Sequence, residues 1–183
     1  SGDMLIGSLL DAGLRLEDLQ RELGGLALSG YTLRAEPWEQ HHIHGTRFHV
    51  DVELEEQPHR HLSDIEALIA GAGLPAGDAE RAAAIFRRVA EAEAHVHGTT
   101  VDHVHFHEVG AVDSIVDIVG FVVGLRLLGV ERVFSSPLAL GSGFVQTAHG
   151  RLPVPAPATL EILARAGAPT RPSEAEKEIL TPT

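Results

Sequence analysis

A run of alternating histidines that leads into an apolar helix constrains this sequence more than any other feature. His103, His105 and His107 alternate with apolar residues, and this period of two predicts a strand with three imidazoles on one face. Glu108 follows directly, and residues 111–128 are apolar nearly all round, which predicts a central, buried helix. The pattern therefore places imidazole and carboxylate groups together at a strand-to-helix junction.

The predicted helix carries its two acidic residues, Asp113 and Asp117, four positions apart and so on one face. A buried carboxylate needs a cation, a metal or hydrogen-bond donors, so pairing with lysine, arginine or backbone groups is one interpretation and contact with a metal or a substrate is the other. Imidazole and carboxylate together suit nickel, zinc or iron, and the sequence has no cysteine to add sulfur ligands. The predicted metal ligands at the junction are His103, His105, His107 and Asp117, and the predicted catalytic groups are Glu108 and Asp113.

Three histidines at helix ends are further candidate metal ligands. An S-x-x-E capping box predicts a helix at 64–70, and His59 and His61 lie just before it. His97 lies at the end of a second helix, predicted at 78–95.

A hairpin with a histidine-rich tip is predicted in the first third of the chain. Alternating residues predict strands at 26–36 and 45–56, with the tip at 38–45. The tip contains His41, His42 and His44. A solvated loop is the favoured interpretation of this cluster.

Three places are candidates for binding a nucleotide or cofactor. Asp3 stands at the start of a helix predicted at 4–22, either as an N-cap or as a site residue. The short loop that follows residue 140 can cradle a phosphate through backbone N–H groups or be an ordinary turn. Its residues are Gly141, Ser142 and Gly143. His149 lies on a segment stiffened by the prolines that follow it.

Charge and composition limit the partners. The net charge of −12 argues against nucleic acid and against an anionic membrane surface, because both need a basic face. The most apolar segment, 109–130, carries Asp113, Asp117 and Arg126, which argues against a membrane span. The absence of cysteine is compatible with the cytoplasm, where we expect the protein to act.

The predicted fold class is α/β (α+β), with a mixed sheet packed by helices around the helix near 111–128. A strand or strand pair is predicted at 130–140 and a last helix at 158–166. Gly120 and Gly124 leave room for another element to approach the central helix closely, and we expect a homo-oligomer.

The chain has one main predicted domain. Residues 1–168 form a histidine-rich metal and cofactor domain, which we expect to be truncated at its N-terminus because the chain opens without a start methionine. Residues 169–183 are rich in proline and glutamate and are predicted to be a linker or the start of a missing C-terminal domain.

Five segments of the sequence resemble one known family. They are SGDM at 1–4, HRHLSDI at 59–65, AEAHVHG at 92–98, HFHEVGAVDSIVDIVG at 105–120 and HGRLPVPAPATLEIL at 149–163. These motifs are long and together span nearly the whole chain. On them the sequence is similar to the LarC family of nickel insertion proteins.

The resemblance implies a nickel chelatase of the lyase class, which inserts nickel into pyridinium-3,5-bisthiocarboxylic acid mononucleotide. The product is the nickel-pincer nucleotide cofactor of lactate racemase. The resemblance also implies a need for CTP and manganese, bound by a C-terminal domain beyond residue 183, and an N-terminal strand before residue 1. We therefore expect this part alone not to complete the reaction, and expect lactate racemase or other maturation proteins as partners.

A mechanism follows as a hypothesis. Neutral histidines and a carboxylate hold nickel with open positions, and the softer thiocarboxylate sulfurs displace protein ligands. Glu108 or a nearby histidine accepts the ring proton as the nickel–carbon bond forms. Three alternatives stay open: a zinc-dependent hydrolase, a nickel or zinc storage or chaperone module, and a structural lobe whose histidines pair with carboxylates.

Overall fold

The computed structural model describes residues 2–53, 60–104, 106, 109–147 and 150–183. Within these ranges the chain forms six α-helices and six β-strands, which confirms the predicted α/β class. The helices are α1 (Gly2–Asp11), α2 (Leu16–Leu23), α3 (Leu62–Gly71), α4 (Ala76–His97), α5 (Val112–Leu127) and α6 (Pro157–Ala166). The strands are β1 (Tyr31–Gln40), β2 (Ile43–Val52), β3 (Leu138–Leu140), β4 (Phe144–Thr147), β5 (Gly150–Pro153) and β6 (Thr170–Pro172).

Helix α5 lies at the centre of the core, as its apolar sequence predicts. Its two glycines let neighbouring helices approach closely. A Cβ on Gly120 would lie 3.0 Å from Cδ1 of Ile6, and one on Gly124 would lie 2.7 Å from Cδ1 of Leu9, both on α1. The predicted close approach is therefore confirmed, and within the chain it is made by α1. In the described ranges no helix is both long and apolar enough to cross a membrane.

A cluster of salt bridges at the C-terminal end of α5 connects three helices. Arg126 donates hydrogen bonds to Asp78 of α4 and to Glu22 of α2. The Asp78 side chain is only 3% exposed, and its hydrogen bond with Arg126 is the main cause of the raised pKa of the guanidinium. A carboxylate buried this deeply needs such a partner, so the cluster fixes how α4 and α2 pack on α5.

Strands β1 and β2 form an antiparallel hairpin that pairs from Tyr31 with Val52 up to Gln40 with Ile43. His41 and His42 alone make the turn, and both have positive φ (52° and 64°). Two left-handed residues match the twist of a two-residue hairpin turn. The predicted tip at 38–45 was therefore too wide, because the strands continue pairing almost to the turn.

The strands in the described part of the chain are divided over three two-stranded sheets. β1–β2 and β4–β5 are antiparallel, and β3–β6 is parallel. The strand predicted at 130–140 is correct only for 138–140, because Pro137 and the glycine loop bound a three-residue strand. Its partner β6 comes from the proline-rich segment that starts at residue 169. The prediction that this segment leads towards a further domain stays a prediction.

The histidine run departs from the predicted strand at its first member. Residues Val101–His103 form a single 3₁₀ turn, closed by the hydrogen bond from His103 N–H to the carbonyl of Thr100. The alternation nevertheless predicted the buried side correctly, since Val104 is 3% and Phe106 is 2% exposed. Phe106 makes one antiparallel bridge with Arg60.

Candidate functional site

A cavity of about 580 Å³ opens beside the histidine-rich segment. Its wall is built from the C-terminal end of α4, the N-terminal ends of α5 and α6, the β4–β5 hairpin and the last residues of the chain. This volume lies within the range of roughly 300–1,000 Å³ that is usual for small-molecule sites.

The wall combines apolar surface with a few ionisable groups. Its apolar residues include Val96, Phe106, Val109, Val145 and Leu152. Its ionisable side chains, among the residues that the structure describes, are His97, Glu93, Asp113 and Glu178. Among the described residues on the wall there is no lysine or arginine. A mostly apolar cavity with a few polar groups is the usual form of a site that orients a small ligand.

His97 and Glu93 lie one turn apart at the end of α4, and Nε2 of His97 is 3.4 Å from Oε2 of Glu93. The helix is capped by Gly98, whose φ of +63° lets the chain leave the helical direction there. A carboxylate next to an imidazole fixes the orientation of the ring. The pair can therefore present a ring nitrogen to a ligand or a metal in the cavity.

Asp113 and Ser114 reach the cavity from the first turn of α5. The Oδ1 atom of Asp113 accepts a hydrogen bond of 2.8 Å from the backbone N–H of Ser114. A carboxylate at the first turn of a helix interacts favourably with the backbone dipoles of the helix N-terminus. Asp113 is exposed, so its second oxygen remains accessible to a ligand.

Asp117 faces α1 one turn farther along α5. A Cβ on Gly2 would lie 2.5 Å from Oδ2 of Asp117, and the carboxylate accepts a backbone hydrogen bond from Asp3. The other oxygen, Oδ1, is buried and has no hydrogen-bond partner in the described part of the chain. Burial, followed by the negative charge of Asp3, raises the pKa of Asp117 to about 7. Asp117 and Asp3 thus meet at the start of α1, outside the cavity wall.

Two candidate ligands have local structural roles. His61 caps α3: its backbone N–H donates to Oδ2 of Asp64 at 2.8 Å, and its Nδ1 lies 3.1 Å from the carbonyl of Val104. The capping box therefore begins two residues before the predicted one at Ser63. Nδ1 of His103 is 2.8 Å from Oγ1 of Thr100. Neither His61 nor His103 lines the cavity.

The remaining histidine cluster is separate from the cavity. His41, His42 and His44 are exposed at the tip of the β1–β2 hairpin, and the His42 side chain is 99% exposed. Across the described ranges, no three histidine, aspartate or glutamate side chains are placed to hold a metal together.

The glycine loop after β3 contacts the last segment of the chain. The backbone N–H of Ser142 donates to the carbonyl of Ala175 at 3.0 Å, and the carbonyl of Lys177 fills the space that a side chain on Gly141 would need. Sequence reasoning missed that this segment then lines the cavity with Glu178 and Thr181. The residue composition of 169–183 carried no signal for it, because the contact depends on the pairing of β6 with β3.

Several predicted site residues lie outside the described ranges and stay predictions: His59, His105, His107, Glu108 and His149. Four of them are sequence neighbours of the cavity wall. Phe106 and Val109, which line the cavity, flank His107 and Glu108 in the sequence, His105 precedes Phe106, and Thr147 on the wall stands two residues before His149.

Comparison with known proteins identifies the family. A family model described as "Nickel insertion protein" matches residues 1–183. The chain belongs to the nickel insertion protein family. Over its whole length, this nickel insertion family member is 56% identical to a protein of Roseiflexus castenholzii that is provisionally named a nickel insertion protein. The matched region covers 46% of the R. castenholzii protein.

A second relative has a more specific name. The chain is 53% identical over 183 residues to the pyridinium-3,5-bisthiocarboxylic acid mononucleotide nickel insertion protein of Desulfitobacterium hafniense and covers 45% of it. This nickel insertion family member thus spans a little less than half the length of these relatives. No solved structure matches the chain.

Proposed function

We propose that this chain is the nickel- and mononucleotide-binding part of a protein that inserts nickel into pyridinium-3,5-bisthiocarboxylic acid mononucleotide. The observation that carries the proposal is the cavity, whose wall includes the His97–Glu93 pair and Asp113. The remaining histidines of the run, His105 and His107, lie directly before and after the wall residue Phe106 in the sequence. The D. hafniense relative, named for this activity, supports the choice of substrate.

Nickel is a substrate of this reaction, and the cavity residues are its proposed first ligands. His97 and Asp113 offer nitrogen and oxygen donors, to which the histidines at 105, 107 and 149 would add. Imidazole nitrogen and carboxylate oxygen are harder ligands than thiocarboxylate sulfur, so nickel passes readily from these residues to the sulfur atoms of the mononucleotide. The protein therefore delivers the metal instead of keeping it.

Formation of the nickel–carbon bond breaks a carbon–hydrogen bond of the pyridinium ring, and the proton must go to a base. Glu108 or a histidine of the cavity serves as that base, and Glu93 would stabilise a protonated His97. The apolar part of the wall, including Phe106 and Val109, contacts the ring and keeps water from it.

The rest of the reaction depends on the longer protein. CTP and manganese are proposed to bind a C-terminal domain, and the product is proposed to serve lactate racemase in the cytoplasm. The segment that follows β6 lines the cavity and would join the two parts.

The test is a reaction with the full-length protein, nickel, CTP, manganese and the mononucleotide, with the product identified by mass spectrometry. The proposal predicts a nickel-containing nucleotide that forms only when nickel and CTP are both present. Retention of nickel without this product would favour a storage protein. Hydrolysis of phosphate esters with zinc alone would favour the hydrolase.

A further inference from the structure

Arg60, which lies two residues before α3, contacts the chain segment that forms one side of the cavity. Its backbone carbonyl accepts a hydrogen bond of 3.1 Å from the N–H of Phe106, at the antiparallel bridge between the two residues. Its side chain contacts the same segment four residues farther on, where Nη1 donates to the carbonyl of Gly110 at 2.5 Å. One residue therefore holds the segment at two points.

Gly110 packs closely on both of these partners. A Cβ on Gly110 would lie 2.8 Å from Cβ of Phe106 and 3.4 Å from Cβ of Arg60. Phe106 and Val109 are 2% and 7% exposed, and both line the cavity. Arg60 does not line it. The arginine thus contacts the wall from outside the cavity.

The contact with Gly110 also bears on the start of α5. Gly110 lies two residues before this helix, and the second residue of the helix is Asp113 on the cavity wall. A hydrogen bond from a charged donor is stronger than one between neutral groups, so the guanidinium restrains the chain where it enters α5. The neighbouring His61 contacts the same segment, with Nδ1 3.1 Å from the carbonyl of Val104.

We propose that Arg60 is a positioning residue for the cavity, whose two contacts hold the side chains of Phe106 and Val109 in place for the pyridinium ring. The inference rests on the proposed function, in which these two side chains contact the ring. Arg60 acts through them and touches neither nickel nor the mononucleotide. Loss of its side chain therefore weakens binding of the mononucleotide and leaves the chemical step nearly unchanged.

The first experiment measures KM and kcat of Arg60→Met in the full-length protein, with nickel, CTP and manganese. Methionine keeps an apolar stem and removes the donor to Gly110. The inference predicts that KM for the mononucleotide rises about tenfold while kcat stays within about twofold of the wild type. Partial unfolding would lower kcat at unchanged KM, and an unchanged KM overturns the inference. Absence of product with the wild type would overturn the proposed function itself.

Two further variants separate positioning from a general loosening of α3. Arg60→Lys retains a cationic donor for the Gly110 carbonyl and should bring KM to within about threefold of the wild type. Arg87→Met is the matched control, because it removes an ion pair of 2.5 Å from α4 to Glu66 of α3 and Arg87 does not line the cavity. It should leave KM unchanged. A rise in KM equal to that of Arg60→Met would show that any loosening of α3 suffices, and the inference would be wrong.

Amide hydrogen exchange tests the contacts without any ligand, and so independently of the proposed function. In Arg60→Met, the amides of Phe106 and Ile115, which donate to the carbonyls of Arg60 and Ala111, should exchange at least about fivefold faster. The amides of α2 should keep their wild-type rates. Equal acceleration in α2 would identify a global loss of stability, and unchanged exchange at Phe106 would show that the guanidinium does not hold the segment. Either result overturns the inference.

Discussion

The backbone carbonyl of Lys177 occupies the space into which a side chain on Gly141 would project. Together with the hydrogen bond from Ser142 N–H to the carbonyl of Ala175, this contact attaches the last segment of the chain to the glycine loop. Because the following residues, Glu178 and Thr181, line the cavity, the loop controls one side of the site.

Gly141→Ala is expected to displace this last segment. The added methyl group meets backbone, which cannot rotate away, so the local cost is about 1–3 kcal/mol. We expect faster amide hydrogen exchange across residues 173–183 and weaker binding of the mononucleotide to the nickel-loaded protein. Gly71→Ala, at the end of α3 with nothing within 4 Å of the new Cβ, is the matched control. Unchanged exchange in Gly141→Ala would show that the loop does not hold the segment.

Arg126→Met is expected to destabilise the fold strongly. The substitution leaves Asp78, 3% exposed, without its cationic partner. Loss of one partner of a buried pair costs about 3–5 kcal/mol, and partial exposure of Arg126 favours the lower end. Urea unfolding measures the change. Arg165→Met removes the surface pair with Glu161 and should cost less than about 1 kcal/mol. Equal losses in both variants would contradict the structural role of the cluster.

Asp117 is expected to make stability depend on pH. Its pKa is about 7 in the folded protein, against an ordinary value of 3.8, so the folded state binds more protons between these values. Stability therefore falls as pH rises from about 4 to about 7. Asp117→Asn should remove this fall and, with allowance for partial solvent screening, add on the order of 1–2 kcal/mol at pH 8.

Urea unfolding at pH 5 and pH 8, in the presence of a chelator, measures this effect. Asp102→Asn, a substitution of an exposed aspartate in the 3₁₀ turn, is the control. If Asp117→Asn follows the pH profile of the wild type, the buried carboxylate is not the cause.

The features that the sequence predicted well depend on local pattern. The apolar run at 111–128 predicted α5 to within one residue at each end, and the glycine pair at 120 and 124 predicted the close contact. The alternation around Phe106 predicted which side chains are buried.

The features that the sequence missed depend on contacts between distant residues. Arg126 forms a hydrogen bond with Asp78, which lies 48 residues away in the sequence, and Ser142 forms one with Ala175, which lies 33 residues away. The S-x-x-E pattern predicts the cap of α3 at Ser63, whereas His61 and Asp64 form it, and His61 also contacts the carbonyl of Val104. Periodicity holds no information on such partners, so the cavity formed by the last residues could not be foreseen.

The most direct test of nickel insertion in the cavity compares two histidines in the full-length protein. His97 lines the cavity and His42 lies at the exposed hairpin tip. Both are replaced by alanine, and the nickel-containing nucleotide formed with CTP is quantified. We expect His97→Ala to lower the amount of product at least about tenfold, as loss of a metal-site residue does, and His42→Ala to leave it unchanged. Full activity of His97→Ala, or loss of activity in His42→Ala alone, would contradict the placement of nickel insertion in the cavity.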